Sequence, residues 1–169
     1  ATADERFPTS ASCLACHNRL TGPAGEDLSI GTGWRGTMMS NAARDPYWQA
    51  AVRREVTDHP TFAAAIENEC AICHMPLASH PARGAGGQAG VLSVLPPRPV
   101  PDPNAAVFAA SVDGVSCTAC HQAEDDGLGS AQTMSGRFVV DLASPAGRRK
   151  AFGPFAVDAG RARVMRSAT

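Results

Sequence analysis

Six cysteines fall into three pairs, Cys13/Cys16, Cys70/Cys73 and Cys117/Cys120, and each pair is followed at once by a histidine: His17, His74 and His121. At the Cys and His frequencies of this 169-residue chain, chance would supply on the order of 0.006 such pentapeptides, so three are not accidental. Two thiols two residues apart can add across the two vinyl groups of one haem, and the histidine that follows then projects towards the iron as an axial ligand. Each motif therefore points to one covalent haem c, three in all. Other chemistries fit less well. A disulfide-stapled domain gives no reason for a histidine after every second cysteine. Zinc takes tetrahedral sets of four ligands, into which three clusters of two Cys and one His do not divide. A thioredoxin-like pair would occur once, beside a strand–helix unit.

The second axial positions are harder to fill. With His17, His74 and His121 committed, only His59 and His80 remain of the five histidines, one fewer than three bis-histidine irons require. At least one iron must take a methionine, another group such as the terminal amine, or no protein ligand. Met38, next to Met39 in a Gly- and Ser-containing stretch, is the leading thioether; Met75 follows a motif histidine directly and cannot reach round to the far face of the same haem. Met134 and Met165 are weaker candidates. His59 stands between Asp58 and Pro60 at a bend that fixes the direction of its imidazole, with Asp58 available as hydrogen-bond acceptor. His80 follows the second motif by six residues.

Several short elements must position these groups. Ser10 or Ser12 can cap a helix through Cys13 to Leu20, ended by Gly22-Pro23. Residues 22–37, rich in glycine and small polar residues, read as loop with Trp34 as its anchor. Asp45-Pro46 starts a helix as N-cap and first-turn proline, with Trp48, Val52 and Val56 on one face, and Asp58-His59-Pro60 starts another that ends in the second motif. Residues 81–104, with Gly84-Ala85-Gly86-Gly87 and five prolines between Pro96 and Pro103, read as an extended surface excursion. Asn104 to Val112 is an alanine-rich helix feeding the third motif. Arg137 to Leu142 alternates as a short strand that can pair with Phe152 to Val157. The expected fold is mostly α and irregular, with few short helices, a haem-organised core and a small C-terminal β element.

Fifteen Lys and Arg against sixteen Asp and Glu argue against nucleic acid as a partner, which would demand clustered positive charge. No stretch approaches the ~18 apolar residues that would span a bilayer. Two Trp, one Tyr and six Phe are few for a core of this size, so haem faces are expected to supply the missing apolar surface and folding to depend on attachment. Two propionates per haem would take the formal charge from −1 to about −7.

The three motifs make the chain resemble the multihaem c-type cytochromes. The segments Arg44-Asp45-Pro46-Tyr47-Trp48-Gln49-Ala50-Ala51-Val52, Glu67-Asn68-Glu69-Cys70-Ala71-Ile72-Cys73-His74-Met75-Pro76 and Asp113-Gly114-Val115-Ser116-Cys117 are similar to stretches of longer exported members of that family. The resemblance spans about residues 10–125. It implies one triheme domain over residues 1–169, either complete or the N-terminal part of a longer multihaem protein. It also implies export to the periplasm or cell exterior, where haem is attached, and redox proteins or further cytochrome subunits as partners. An electron carrier is expected first. The alternatives are a redox enzyme with one open iron acting on a small nitrogen or sulfur species, with Arg35 or Arg53-Arg54 gathering an anion, and an electron-conducting structural subunit.

Overall fold

The computed structural model describes residues 7–95, 101–145, 149–154 and 156–168. They form a mostly α-helical chain: α1 Ser10–Leu14, α2 Ile30–Arg35, α3 Met38–Asn41, α4 Pro46–Asp58, α5 Ala63–His74, α6 Pro76–Gly84, α7 Ala105–Val112, α8 Cys117–His121 and α9 Ala159–Ala168. Short 3₁₀ turns lie at Pro60–Phe62 and Leu92–Val94. No helix among the described residues is long and apolar enough to cross a membrane.

The longest helices start and stop for local reasons. The Asp45 carboxylate accepts the Tyr47 N–H (2.9 Å) at the N-terminus of α4, and Pro46 occupies the first turn, where a missing N–H costs nothing. Trp48 and Val52 on the inner face of α4 are buried against Ala71 and Met75, and α5 folds back beside α4. The first core, of Ala43, Trp48, Val52, Ala71, Met75, Ala89, Val91 and Leu95, lies between this hairpin and the chain beyond α6. A second core joins Phe7, Leu77, Ala110, Ala119 and Val140, with Val115, Phe138 and Leu142 packed against it.

Four local expectations need correction. The first helix ends at Leu14 rather than Leu20. Residues 22–37 contain a helix, α2, because Gly31 lets it lie against α1: a Cβ there would stand 2.9 Å from Leu14 Cδ2. The reading of 81–104 as a surface excursion holds only in part, since Pro81 to Gly84 complete α6 and Val91 and Leu95 are buried. The Glu67 carboxylate on α5 accepts the N–H groups of Val91 (2.6 Å) and Leu92 (2.8 Å), and Asn68 accepts that of Ala89 (3.3 Å), which hold this segment down. Residues 96–100 of that stretch lie outside the described residues.

The C-terminal β hairpin is absent among the described residues. The stretch 137–142 alternates as expected, with Val140 buried and Val139 exposed, but its partner is the chain just after the third motif. Val140 bridges Ala123 in antiparallel fashion, and the Glu124 N–H donates to the Val139 carbonyl (2.8 Å). Residues 122–124 have backbone groups freed by the end of α8, and those groups take the pairing that Phe152 to Val157 was expected to supply. Phe152 instead donates its N–H to the His121 carbonyl (2.7 Å). Of that predicted strand, Phe155 lies outside the described residues.

Candidate haem-attachment sites

The three motifs sit on helix ends. Cys13 is on α1 with Cys16 and His17 just beyond it; Cys70, Cys73 and His74 form the last turn of α5; Cys117, Cys120 and His121 are on α8. All six thiols are free, and in each pair the first is half-buried and the second exposed. The pattern turns the second cysteine and the histidine of each motif outward, except that His74 is half-buried.

Two motif imidazoles have a fixed tautomer. His74 Nδ1 lies 2.8 Å from the Ala42 carbonyl, and His121 Nδ1 lies 2.6 Å from the Phe152 carbonyl. A carbonyl can only accept, so in both rings Nδ1 carries the hydrogen and Nε2 holds the lone pair. This is the tautomer an iron-ligating histidine needs, and the carbonyl holds the ring in its orientation. The indole of Trp48 stacks on the His74 ring, with centroids 4.3 Å apart and planes 7° from parallel, and so sets its plane. His17 is exposed.

His74 also lines a cavity of about 620 Å³ together with Met38, Met39, Ala42, Arg44 and Val115. That size falls within the usual range for cofactor sites. Met38 is 90% exposed and Met39 51%, so two thioethers stand at the cavity without protein to cover them. Arg44 brings a positive charge to the same wall while its guanidinium donates to the Ser40 carbonyl (2.9 Å). The structure thus gathers His74 and Met38, which the sequence treats separately, and adds Arg44, Trp48 and the Ala42 carbonyl, which it does not signal as a set.

The two remaining histidines are placed very differently. His80 on α6 is buried to 7% exposure, between the rings of Phe7 (6.1 Å) and Phe138 (4.4 Å), and its Nε2 has no hydrogen-bond partner. Burial, with Arg83 and Arg149 nearby, lowers its pKa to about 4, so the ring is neutral at ordinary pH. His59 is exposed at the turn between α4 and α5. The twelve residues of α5 separate that turn from His74 by about 18 Å, so the two do not meet on one iron. Asp58, expected to orient His59, is engaged by Arg54 at 2.6 Å.

The first and third motifs are joined. Asp113, four residues before Cys117, accepts both the Ser10 N–H and the Ser10 hydroxyl at 2.7 Å, which caps α1 from across the fold. The Thr118 hydroxyl donates to the Pro8 carbonyl (3.1 Å). The Cys13 and Cys117 thiols lie beside each other, and their interaction lowers the Cys13 pKa to about 7 and raises that of Cys117. Burial raises Cys70 and Cys120.

These features fit haem. The described residues leave many large side chains exposed, a sizeable apolar part of the surface. Much of the apolar part lies near the motifs in sequence or space: Leu20 and Ile30 around the first, Met38, Met39 and Tyr47 around the second, Leu128, Val139 and Phe152 around the third. Flat apolar groups attached there would cover side chains that water otherwise meets. No three His, Cys, Asp or Glu side chains among the described residues converge on a metal-ion cage. Haem iron needs none, because the porphyrin supplies four ligands and the protein one or two. Compared with models of known protein families, with curated proteins and with solved structures, the chain matches none.

Proposed function

We propose that this chain is an exported triheme c-type cytochrome that carries electrons between redox proteins. The observation that carries the reading is the threefold Cys-x-x-Cys-His motif. Nε2 is left as the free lone pair in both His74 and His121, which supports it. Cys13, Cys16, Cys70, Cys73, Cys117 and Cys120 would hold the three haems as thioethers, and His17, His74 and His121 would bind the irons. Bound haem supplies one-electron Fe(III)/Fe(II) chemistry.

The chain's own residues then tune and position that chemistry. The Ala42 and Phe152 carbonyls hold the hydrogens of His74 and His121 on Nδ1 and so would orient both rings as axial ligands. Trp48 fixes the ring plane of His74, and Arg44 can pair with a propionate at the same cavity. Met38, beside Met39 at the open part of that cavity, would be the thioether offered to the same iron. His80 is neutral and buried with an unpartnered Nε2, the state of an imidazole ready to ligate. His59 serves a different iron from His74 if it serves one in this chain.

Low-temperature EPR of the oxidised holoprotein, before and after cyanide or nitrite, tests the function. Low-spin signals that added ligand leaves unmoved support a carrier. A high-spin signal that converts on ligand addition overturns it in favour of an enzyme with an open iron.

A further inference from the structure

The haem order along the sequence need not be the order in space, and the packing of the three motifs bears directly on it. The third motif packs on the first, and the segment leading into it lines the cavity of the second. On one side, α8 packs on α1 with the Cys13 and Cys117 thiols beside each other, the Asp113 carboxylate between α7 and α8 accepts from Ser10 of α1 (2.7 Å), and the Thr118 hydroxyl of α8 donates to the Pro8 carbonyl just before α1 (3.1 Å). On the other side, Val115, two residues before Cys117, lines the cavity that holds His74. Val115 is locked there: its N–H donates to the Met39 carbonyl (3.0 Å), and its carbonyl accepts the Trp34 indole N–H (3.2 Å). Gly114 makes this approach feasible. Its φ is +68°, and a Cβ would stand 2.5 Å from the Met39 carbonyl oxygen. Neither α1 nor α8 packs on α5 in this way among the described residues, but the Val115 segment before α8 reaches the cavity that holds His74, whereas nothing from α1 lines it.

We propose that the haems are ordered in space first, third, second, with the group held by Cys117, Cys120 and His121 in the middle. The inference rests on the triheme reading. It adds that Cys13 and Cys117 place the thioether edges of the first and third groups side by side, and that the Asp113 clamp maintains this pair. Electrons exchanged between the first and second motifs then pass by way of the third.

The test is stepwise oxidation of the holoprotein followed by two-dimensional exchange NMR. Each haem's methyl signals are assigned through contacts from its thioether bridges to the residues of its own motif. Oxidising one haem makes a close neighbour harder to oxidise, so its midpoint moves upward, and the shift grows as separation falls. The expected result is that oxidation of the first haem raises the midpoint of the third more than that of the second, and that oxidation of the second also acts mainly on the third. A largest mutual shift between the first and second haems overturns the order. A second measurement uses Asp113→Asn, which keeps the side-chain shape and removes the charge that holds Ser10. It should lessen the first–third shift and leave the third–second shift unchanged; equal shifts in variant and parent overturn the role of the clamp. Fewer than three attached haems would instead sink the triheme reading itself, an outcome that the same NMR sample reveals by haem count.

Discussion

Replacing Trp48 by alanine perturbs core and site at one point. The indole is 9% exposed, packs in the first core and stacks on His74 with centroids 4.3 Å apart. Truncating a buried tryptophan costs about 3–5 kcal/mol in lost burial and residual cavity. Of this, the ring stack accounts for about 0.5–1.5 kcal/mol. Trp48→Phe keeps a ring against the imidazole and should cost about 1–2 kcal/mol. The assay is guanidinium unfolding of the holoprotein, with EPR of the oxidised state in parallel. Trp48→Ala should lower the unfolding midpoint and move the g values of one haem only, because His74 alone loses its orienting partner. Trp48→Phe should move both less. A Trp48→Ala variant within about 1 kcal/mol of the parent, with all three haem signals unchanged, would refute the reasoning that this indole sets the second site.

Three further outcomes follow from particular contacts. Gly114→Ala should cost at least about 2 kcal/mol by thermal unfolding, since alanine is strained at φ +68° and its Cβ meets the Met39 carbonyl oxygen; a neutral substitution would contradict the close approach of motif three to α3. Glu67→Ala removes the charged acceptor of two backbone N–H groups and should cost about 2–4 kcal/mol while opening residues 85–95 to limited proteolysis; unaltered cleavage would show that the segment is held otherwise. Where His80 binds no iron, it should make the protein acid-sensitive. Its pKa is about 4 in the fold against an ordinary 6.5, so between those values the unfolded chain binds the proton and the folded one does not. The stability it secures is complete above about pH 6.5 and falls by up to about 3 kcal/mol as pH drops to 4. Urea unfolding across that range should show the slope in the parent and lose it in His80→Phe; equal slopes would remove His80 as the cause.

Signals that were local in sequence were legible. Asp45-Pro46 marks the start of α4, the Trp48 and Val52 spacing marks its buried face, and the second motif ends α5 at His74 as expected. Features set by distant chain were not. Val91 and Leu95 follow a Gly-rich run and look solvent-facing, yet Glu67, 24 residues earlier, supplies the acceptor that seats them. Alternation suggested a strand over 137–142, but among the described residues only the single bridge of Val140 with Ala123 forms, since a period of two says nothing about which backbone will pair with it. The acceptors that fix His74 and His121 are main-chain carbonyls 32 and 31 residues away, atoms every residue carries and no side-chain pattern announces. Asp113 caps a helix more than one hundred residues upstream, where sequence rules look for Ser10 or Ser12.

The central claim is that all six cysteines are haem-bonded. It is tested most directly by the intact mass of the purified protein under denaturing conditions, after expression in a host that exports the chain and attaches haem. The account predicts the polypeptide plus the mass of three haems, retained after unfolding and acid–organic extraction. A mass equal to the bare polypeptide, or one lowered only by the hydrogens lost to disulfides, would contradict it.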